Sequence, residues 1–170
     1  MAIKAVAMDV DGVLTDGTVW LDETGRESKR IAFADIMGVS LGRQAGLVFA
    51  LISGEGGAPF DVIAAKFGIT DTYPGSKDKV AAVRDFAARH DLELAEVCFI
   101  GDDVNDVSAL EICGLAVAPA GAHPAAAAKA TVVTTRLGGG GAVREVIDSL
   151  LAGSWPDRVA LRCPESRVDR

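Results

Sequence analysis

Short apolar runs alternate along this chain with amphipathic stretches, and that alternation restricts the fold more than any other feature. Ala5-Val6-Ala7-Met8, Val48 to Ile52, Val97 to Ile100, Leu115 to Val117 and Val132 to Thr134 read as buried strands. Segments near Pro59 to Phe67, Lys77 to His90, Asn105 to Ile112 and Gly141 to Leu151 read as helices. Strands and helices in this order predict an α/β fold, a doubly wound Rossmann-like parallel sheet with helices on both faces. A chain of 170 residues, 49% hydrophobic, has enough material for a sizeable core, and residues 1–152 are expected to form a single domain. One segment breaks the alternation. Thr18 to Leu21 and Glu27 to Phe33 flank the turn signal Asp22-Glu23-Thr24-Gly25, which predicts a protruding β-hairpin over about 17–33. Gly138 to Gly141 reads as a flexible glycine run, and 153–170, with Trp155-Pro156 and many charges, as a flexible C-terminal tail.

Several function classes are disfavoured at this stage. A net charge of −7, with no stripe of lysine and arginine, argues against nucleic acid as a partner. No apolar run is long enough to cross a bilayer and no charged segment leads a long apolar stretch at the N-terminus, so a soluble, cytoplasmic protein is expected, without membrane partners. The three cysteines, Cys98, Cys113 and Cys163, lack zinc-site spacing and suit a reducing compartment.

The chemistry-bearing residues fall where the predicted strands end. Asp9 and Asp11 follow the first apolar run, and Gly12 turns the chain just past it. In open α/β sheets that edge is where ligands bind. Ser53-Gly54 follows the second run and offers a hydroxyl and a backbone N–H for a phosphate oxygen. Lys79 opens a helix, an unusual place for an unpaired cation against the helix dipole. Gly101-Asp102-Asp103-Val104-Asn105-Asp106 places three carboxylates at another helix start, more than capping uses. Two like charges ~4 Å apart cost on the order of 4 kcal/mol at an effective dielectric near 20, so this gathering of acids calls for a cation, and hard oxygen ligands favour Mg²⁺.

The order Asp-x-Asp-Gly, strand-ending Ser, Lys, Gly-Asp-Asp-x-x-Asp resembles the haloacid dehalogenase superfamily of phosphotransferases over about Ile3 to Leu151. The resemblance implies a Mg²⁺-dependent phosphomonoesterase with an aspartyl-phosphate intermediate. Asp9 is then the nucleophile and Asp11 the acid and base. The metal is held by Asp9, the Asp11 backbone carbonyl and Asp102, with Asp103 and Asp106 supporting these ligands. Ser53, the Gly54 N–H and Lys79 bind the phosphate. The segments between Gly17 and Ser53 and between Ser53 and Lys79 leave no room for a cap domain, so a large substrate or another subunit must close the site.

Within the superfamily the chain is similar to the capless phosphatases of 2-keto-3-deoxy sugar acids, whose best-known type acts on 3-deoxy-D-manno-octulosonate 8-phosphate. The shared features are Asp9 to Gly17, the Gly75 to Lys79 spacing, Ala122-His123-Pro124 and Gly139 to Glu145. This implies a homotetramer with packed hairpins and shared active sites, and a phosphorylated sugar acid as substrate. His123 itself reads as a turn residue and Arg144 as a helix-surface ion pair. Glu55, where such members carry a basic residue, and Asp35-Ile36-Met37-Gly38 depart from the pattern. Glu55 with Lys66 as counter-charge is similar instead to the branch acting on the nononate 9-phosphate and to phosphatase-like domains of acylneuraminate pathways. A receiver-like signalling domain, whose phosphoacceptor normally follows the third strand, and a non-catalytic assembly protein are the readings from other classes.

Overall fold

The computed structural model describes residues 2–154 and 160–161. Strand β1 (Ala5–Met8) is followed by the hairpin strands β2 (Trp20–Leu21) and β3 (Glu27–Ser28), then by α1 (Phe33–Gln44), β4 (Val48–Ile52), α2 (Ala58–Phe67), β5 (Asp71–Tyr73) and α3 (Lys79–Arg89). The second half runs β6 (Val97–Ile100), α4 (Val107–Ile112), β7 (Leu115–Ala120), α5 (Pro124–Lys129), β8 (Val132–Leu137), α6 (Ala142–Ala152) and β9 (Ala160–Leu161). Single 3₁₀ turns at Leu94–Glu96 and Val104–Asp106 precede β6 and α4.

The main sheet has the order β5-β4-β1-β6-β7-β8-β9, parallel except for β9, which pairs antiparallel to β8. Side-chain alternation divides its core into two layers. Val6, Met8, Phe49, Leu51, Cys98 and Ile100 point to one face and meet Val39 of α1, Phe60 and Phe67 of α2, and Val143, Val146 and Ile147 of α6. Ala5, Ala7, Ala50, Ile52, Val97 and Phe99 point to the other and meet Val83 and Phe86 of α3, Leu110 of α4 and Ala126 of α5. Strands covered on both faces carry no polar side, which is why they read as continuous apolar runs. The expected doubly wound sheet is therefore present, and among the described residues there is no cap domain.

The chain leaves β1 for β4 and β5 on one side, then crosses to β6 and beyond on the other. The winding reverses at β1, so the loops after β1, β4 and β6 open onto one crevice.

Three local expectations need correction. The hairpin arms are two residues each and Phe33 already opens α1, while before the first arm the Asp16 carboxylate accepts from the Thr18 N–H and hydroxyl. Asp22 builds the turn, accepting from the N–H groups of Thr24 and Arg26. The glycine run after β8 is a packed turn: Gly139 donates to the Val13 carbonyl at 2.9 Å, and a side chain at Gly138 would collide with the Gly12 carbonyl oxygen. Finally, Ala160–Leu161, inside the segment read as a tail, form β9, while the rest of that segment, with Trp155, Pro156 and Cys163, lies outside the described residues.

Asp35 also has a structural task. It is fully buried in the first turn of α1 and accepts from Gly141 N (3.2 Å) and Arg144 N (2.8 Å), closing the N-terminal end of α6.

Candidate active site

Each site residue stands at the carboxyl end of a strand or the amino end of a helix. Asp9 follows β1 with 5% of its surface exposed; its Oδ1 accepts from Val10 N at 2.7 Å and its Oδ2 pairs with Lys79 Nζ at 2.8 Å. Lys79 is the first residue of α3, 3% exposed, and its ammonium also meets Asp106 Oδ1 at 2.5 Å. Asp78 caps that helix by accepting from Ala81 N, so the lysine is free to turn inward.

Asp106 has its second oxygen engaged by the N–H groups of Asp102 (2.9 Å) and Asp103 (3.2 Å). It therefore ties Lys79 to the loop after β6. Asp103 is exposed and caps the 3₁₀ turn, accepting from Val104 N. Asp102 contributes a different feature. Its Oδ1 is buried and accepts no hydrogen bond, and oxygens of Asp9, Asp102 and Asp106 all lie within 4.8 Å of one another. Buried carboxylate oxygens without donors cost free energy unless a proton or cation meets them. The Asp102 carboxylate is pressed against Gly12, whose φ of 79° and lack of a side chain the site requires.

Asp11 is oriented differently. Lys29 Nζ lies 2.8 Å from each of its carboxylate oxygens, and the Thr15 hydroxyl donates to Oδ1 at 3.2 Å. The side chain stays off the Asp9–Asp102–Asp106 cluster. Asp11, Asp9, Ser53, Gly54, Glu55, Ser76, Lys77, Lys79 and Asn105 line one cleft of about 230 Å³. Ser53 is buried, with its hydroxyl accepting from Glu55 N at 3.1 Å, whereas Glu55 is exposed at the rim. A roomier groove of about 580 Å³ beside α6 contains none of these acids, and its Arg144 is already paired with Asp148. His123, as expected, turns the chain before Pro124 and accepts from Ala125 N.

Of the sequence-derived candidates, the fold gathers Asp9, Asp11, Asp102, Asp106, Ser53, Gly54 and Lys79, with Asp103 and Glu55 at the margin. It does not bring in Lys66. That residue lies in the last turn of α2, whose axis runs back from the crevice at about 1.5 Å per residue, and its ammonium sits 5.6 Å over the Phe33 ring. Lys77 takes its place beside Glu55, 3.9 Å away, and donates to the Gly54 carbonyl at 2.9 Å. Lys29, Lys77, Ser76 and Asn105 were not picked out from the sequence. For Lys29 a signal existed: a hairpin returns the chain to its own root, so a residue just past the second arm comes back beside the residues before the first.

Burial pushes the Asp9 carboxyl up to about 6, and the charge of Asp106 adds to this against the pull of Lys79. Burial, then the charges of Asp9, Asp106 and Asp103, push Asp102 up to about 7. For Lys79 burial acts downward, but the Asp9 and Asp106 carboxylates outweigh it and the value ends above the ordinary lysine range. Acids raised in the folded state favour folding below their unfolded pKa and lose that contribution as pH rises through the folded values. The metal-free protein in chelator should therefore lose thermal stability between about pH 4 and pH 7. The lowered acids Asp16, Asp22 and Glu96 act in the opposite sense, but only below about pH 4, near their unfolded values. Melting curves of wild type and Asp102→Asn would check this: the variant should show the smaller drop, and equal drops would refute the assignment.

A doubly wound sheet, a carboxylate pair at its switch point and a buried lysine between two acids agree with the resemblance to the haloacid dehalogenase superfamily. A family model described as haloacid dehalogenase-like hydrolase matches residues 48–147. The chain is 36% identical over 149 residues to the 3-deoxy-D-manno-octulosonate 8-phosphate phosphatase KdsC of Escherichia coli K12, covering 88% of this chain and 79% of that one. Its fold matches the crystal structure of 3-deoxy-D-manno-octulosonate 8-phosphate phosphatase from Moraxella catarrhalis in complex with magnesium ion, phosphate ion and KDO molecule. The TM-score is 0.86 at 34% identity, over 89% of this chain and 87% of that one. The cobalt-bound deoxy-D-mannose-octulosonate 8-phosphate phosphatase of Haemophilus influenzae gives 0.85 at 32% identity, over 88% of each chain. The chain belongs to the haloacid dehalogenase-like hydrolases, in the family of capless 3-deoxy-D-manno-octulosonate 8-phosphate phosphatases.

Proposed function

We propose that this chain is a Mg²⁺-dependent phosphomonoesterase acting on a phosphorylated 2-keto-3-deoxy sugar acid, with 3-deoxy-D-manno-octulosonate 8-phosphate as the first candidate. The observation that carries the reading is the buried contact of Lys79 with Asp9 at the mouth of a cleft that also holds Ser53 and Asp11. The donor set fits the metal, since Asp102 Oδ1 is buried without a partner beside Asp9; these two carboxylates and the Asp11 backbone carbonyl would hold it. When bound, Mg²⁺ supplies positive charge that offsets repulsion between the Asp9 carboxylate and the phosphate oxygens.

The chain's own residues do the rest. Asp9, fixed by Val10 N and Lys79, attacks phosphorus and becomes an aspartyl-phosphate. Asp11 gives its proton to the departing sugar oxygen and then takes one from the water that releases phosphate. The Ser53 hydroxyl, the Gly54 N–H and the Lys79 ammonium stabilise charge on the transferring oxygens. Exposed Trp20, Leu21, Phe33 and Met37 on the hairpin and the start of α1 support a homotetramer whose subunits close one another's sites. A cytoplasmic location fits the free thiols of Cys98 and Cys113.

Glu55 at the rim, with Lys77 beside it, favours one second reading, a nononate 9-phosphate or acylneuraminate-pathway substrate. The test is phosphate release from octulosonate 8-phosphate, nononate 9-phosphate and common hexose phosphates, with Mg²⁺ and with chelator. Preference for the octulosonate ester supports the first reading and preference for the nononate ester the second. Failure on all substrates with Mg²⁺ present removes the phosphatase assignment.

A further inference from the structure

The geometry points to Lys29 as the positioning residue for Asp11, an ion pair through which the hairpin sets the orientation of the acid and base group. This deepens the reading just given and rests on Asp11 having that role. Lys29 lies between β3 and α1, in a stretch that is otherwise largely exposed, yet only 12% of its side chain is accessible. Its ammonium meets both Asp11 oxygens at 2.8 Å. The Thr15 hydroxyl holds Oδ1 as well, and Thr15 is fully buried and fixed by the N–H groups of Gly12 and Gly17. Two donors on one carboxylate leave it little rotational freedom at the wall of the cleft.

A purely structural fastening is already supplied next door. Arg30 Nη2 pairs with Asp16 Oδ2 at 3.0 Å, and Asp16 also holds Thr18, so the hairpin root is tied at the surface without Asp11. The Lys29 pair differs in what it engages, a carboxylate that shares the cleft with Asp9 and Ser53. In the first half of the reaction Asp11 is the carboxylic acid, with its proton on Oδ2 while Lys29 and Thr15 donate to Oδ1. That proton passes to the sugar oxygen as the bond from Asp9 to phosphorus forms and the bond from phosphorus to the sugar oxygen breaks. In the second, the Asp11 carboxylate takes a proton from the attacking water while Asp9 is released. Both transfers need the same oxygen aimed at the bond axis, and Lys29 maintains that aim.

The test compares substrates whose leaving groups need a proton with one that does not. For Lys29→Met at saturating Mg²⁺, kcat/KM on a sugar phosphate should fall about tenfold to a hundredfold. On p-nitrophenyl phosphate, whose leaving group departs as a stable anion, it should stay within about threefold. Asp11→Asn should show the same ranking, the double variant should be no worse than Asp11→Asn alone, and Lys29→Arg should recover part of the loss. Independently of turnover, hydrogen exchange over residues 18–30 in the full chain should speed up in Asp11→Asn as it does in Lys29→Met. Equal losses on both substrates, additive effects in the double variant, or unchanged hairpin exchange in Asp11→Asn would each overturn the assignment. Absence of wild-type turnover would instead sink the phosphatase reading, and the exchange comparison would still decide whether the pair holds the hairpin.

Discussion

Asp9→Asn is expected to abolish phosphate release, by at least about ten-thousand-fold, in a protein that remains folded. The amide keeps the shape of the side chain and can still accept from Val10 N, so the β1 end is not distorted. What is lost is the charge that attacks phosphorus in the proposed mechanism, and one of the oxygens grouped with Asp102. Because Asp9 is a raised acid among other acids, its neutralisation should leave the metal-free protein no less stable than wild type at pH 8. Calorimetry and phosphate release on the same sample would check both halves. A folded variant with rates near wild type would remove Asp9 as nucleophile.

Lys79→Met should damage both stability and turnover. The lysine is buried between Asp9 and Asp106, so its removal leaves two carboxylates facing each other without a counter-charge. Breaking one side of such a buried arrangement costs about 3–5 kcal/mol. Loss of a preorganised cation beside the transferring phosphate should lower kcat by roughly a hundredfold to a thousandfold. Adding Asp106→Asn should return part of the stability, since one stranded charge is removed, while kcat stays low. Denaturant unfolding of the single and double variants measures this, and a double variant less stable than Lys79→Met would contradict the electrostatic account.

The parts of the molecule legible in the sequence share a physical reason. A strand covered on both faces has no polar positions, so β1, β4, β6 and β7 stand out as apolar runs, and polar, chemistry-bearing groups follow β1, β4 and β6 directly. Asp9, Ser53 and Asp102 are thus legible on one edge from the sequence alone, and Lys79 from the helix start that it opens. Helix α5 was not legible, since Pro124 is followed by an unbroken alanine run with no apolar period to read. Lys29 and Asp35 were missed for another reason: each acts on a partner far away or across a turn. Asp35 closes the end of a helix 106 residues downstream, and local sequence carries no trace of that distance. Lys66 lies apart from Glu55 because the direction of α2 carries its last turn away from the crevice, which spacing along the sequence does not reveal.

The turn after β8 bears on how the molecule is made. Gly138 and Gly139 pack on the Gly12 to Thr15 loop, so the segment that braces Asp9 and Asp11 is synthesised long after the acids themselves. A nascent chain halted before that turn holds Asp9 and Asp11 without the brace that sets the loop around them. Contacts of such long sequence separation form late and slow folding. The loop that carries both acids therefore takes its final shape only once the turn after β8 has been made.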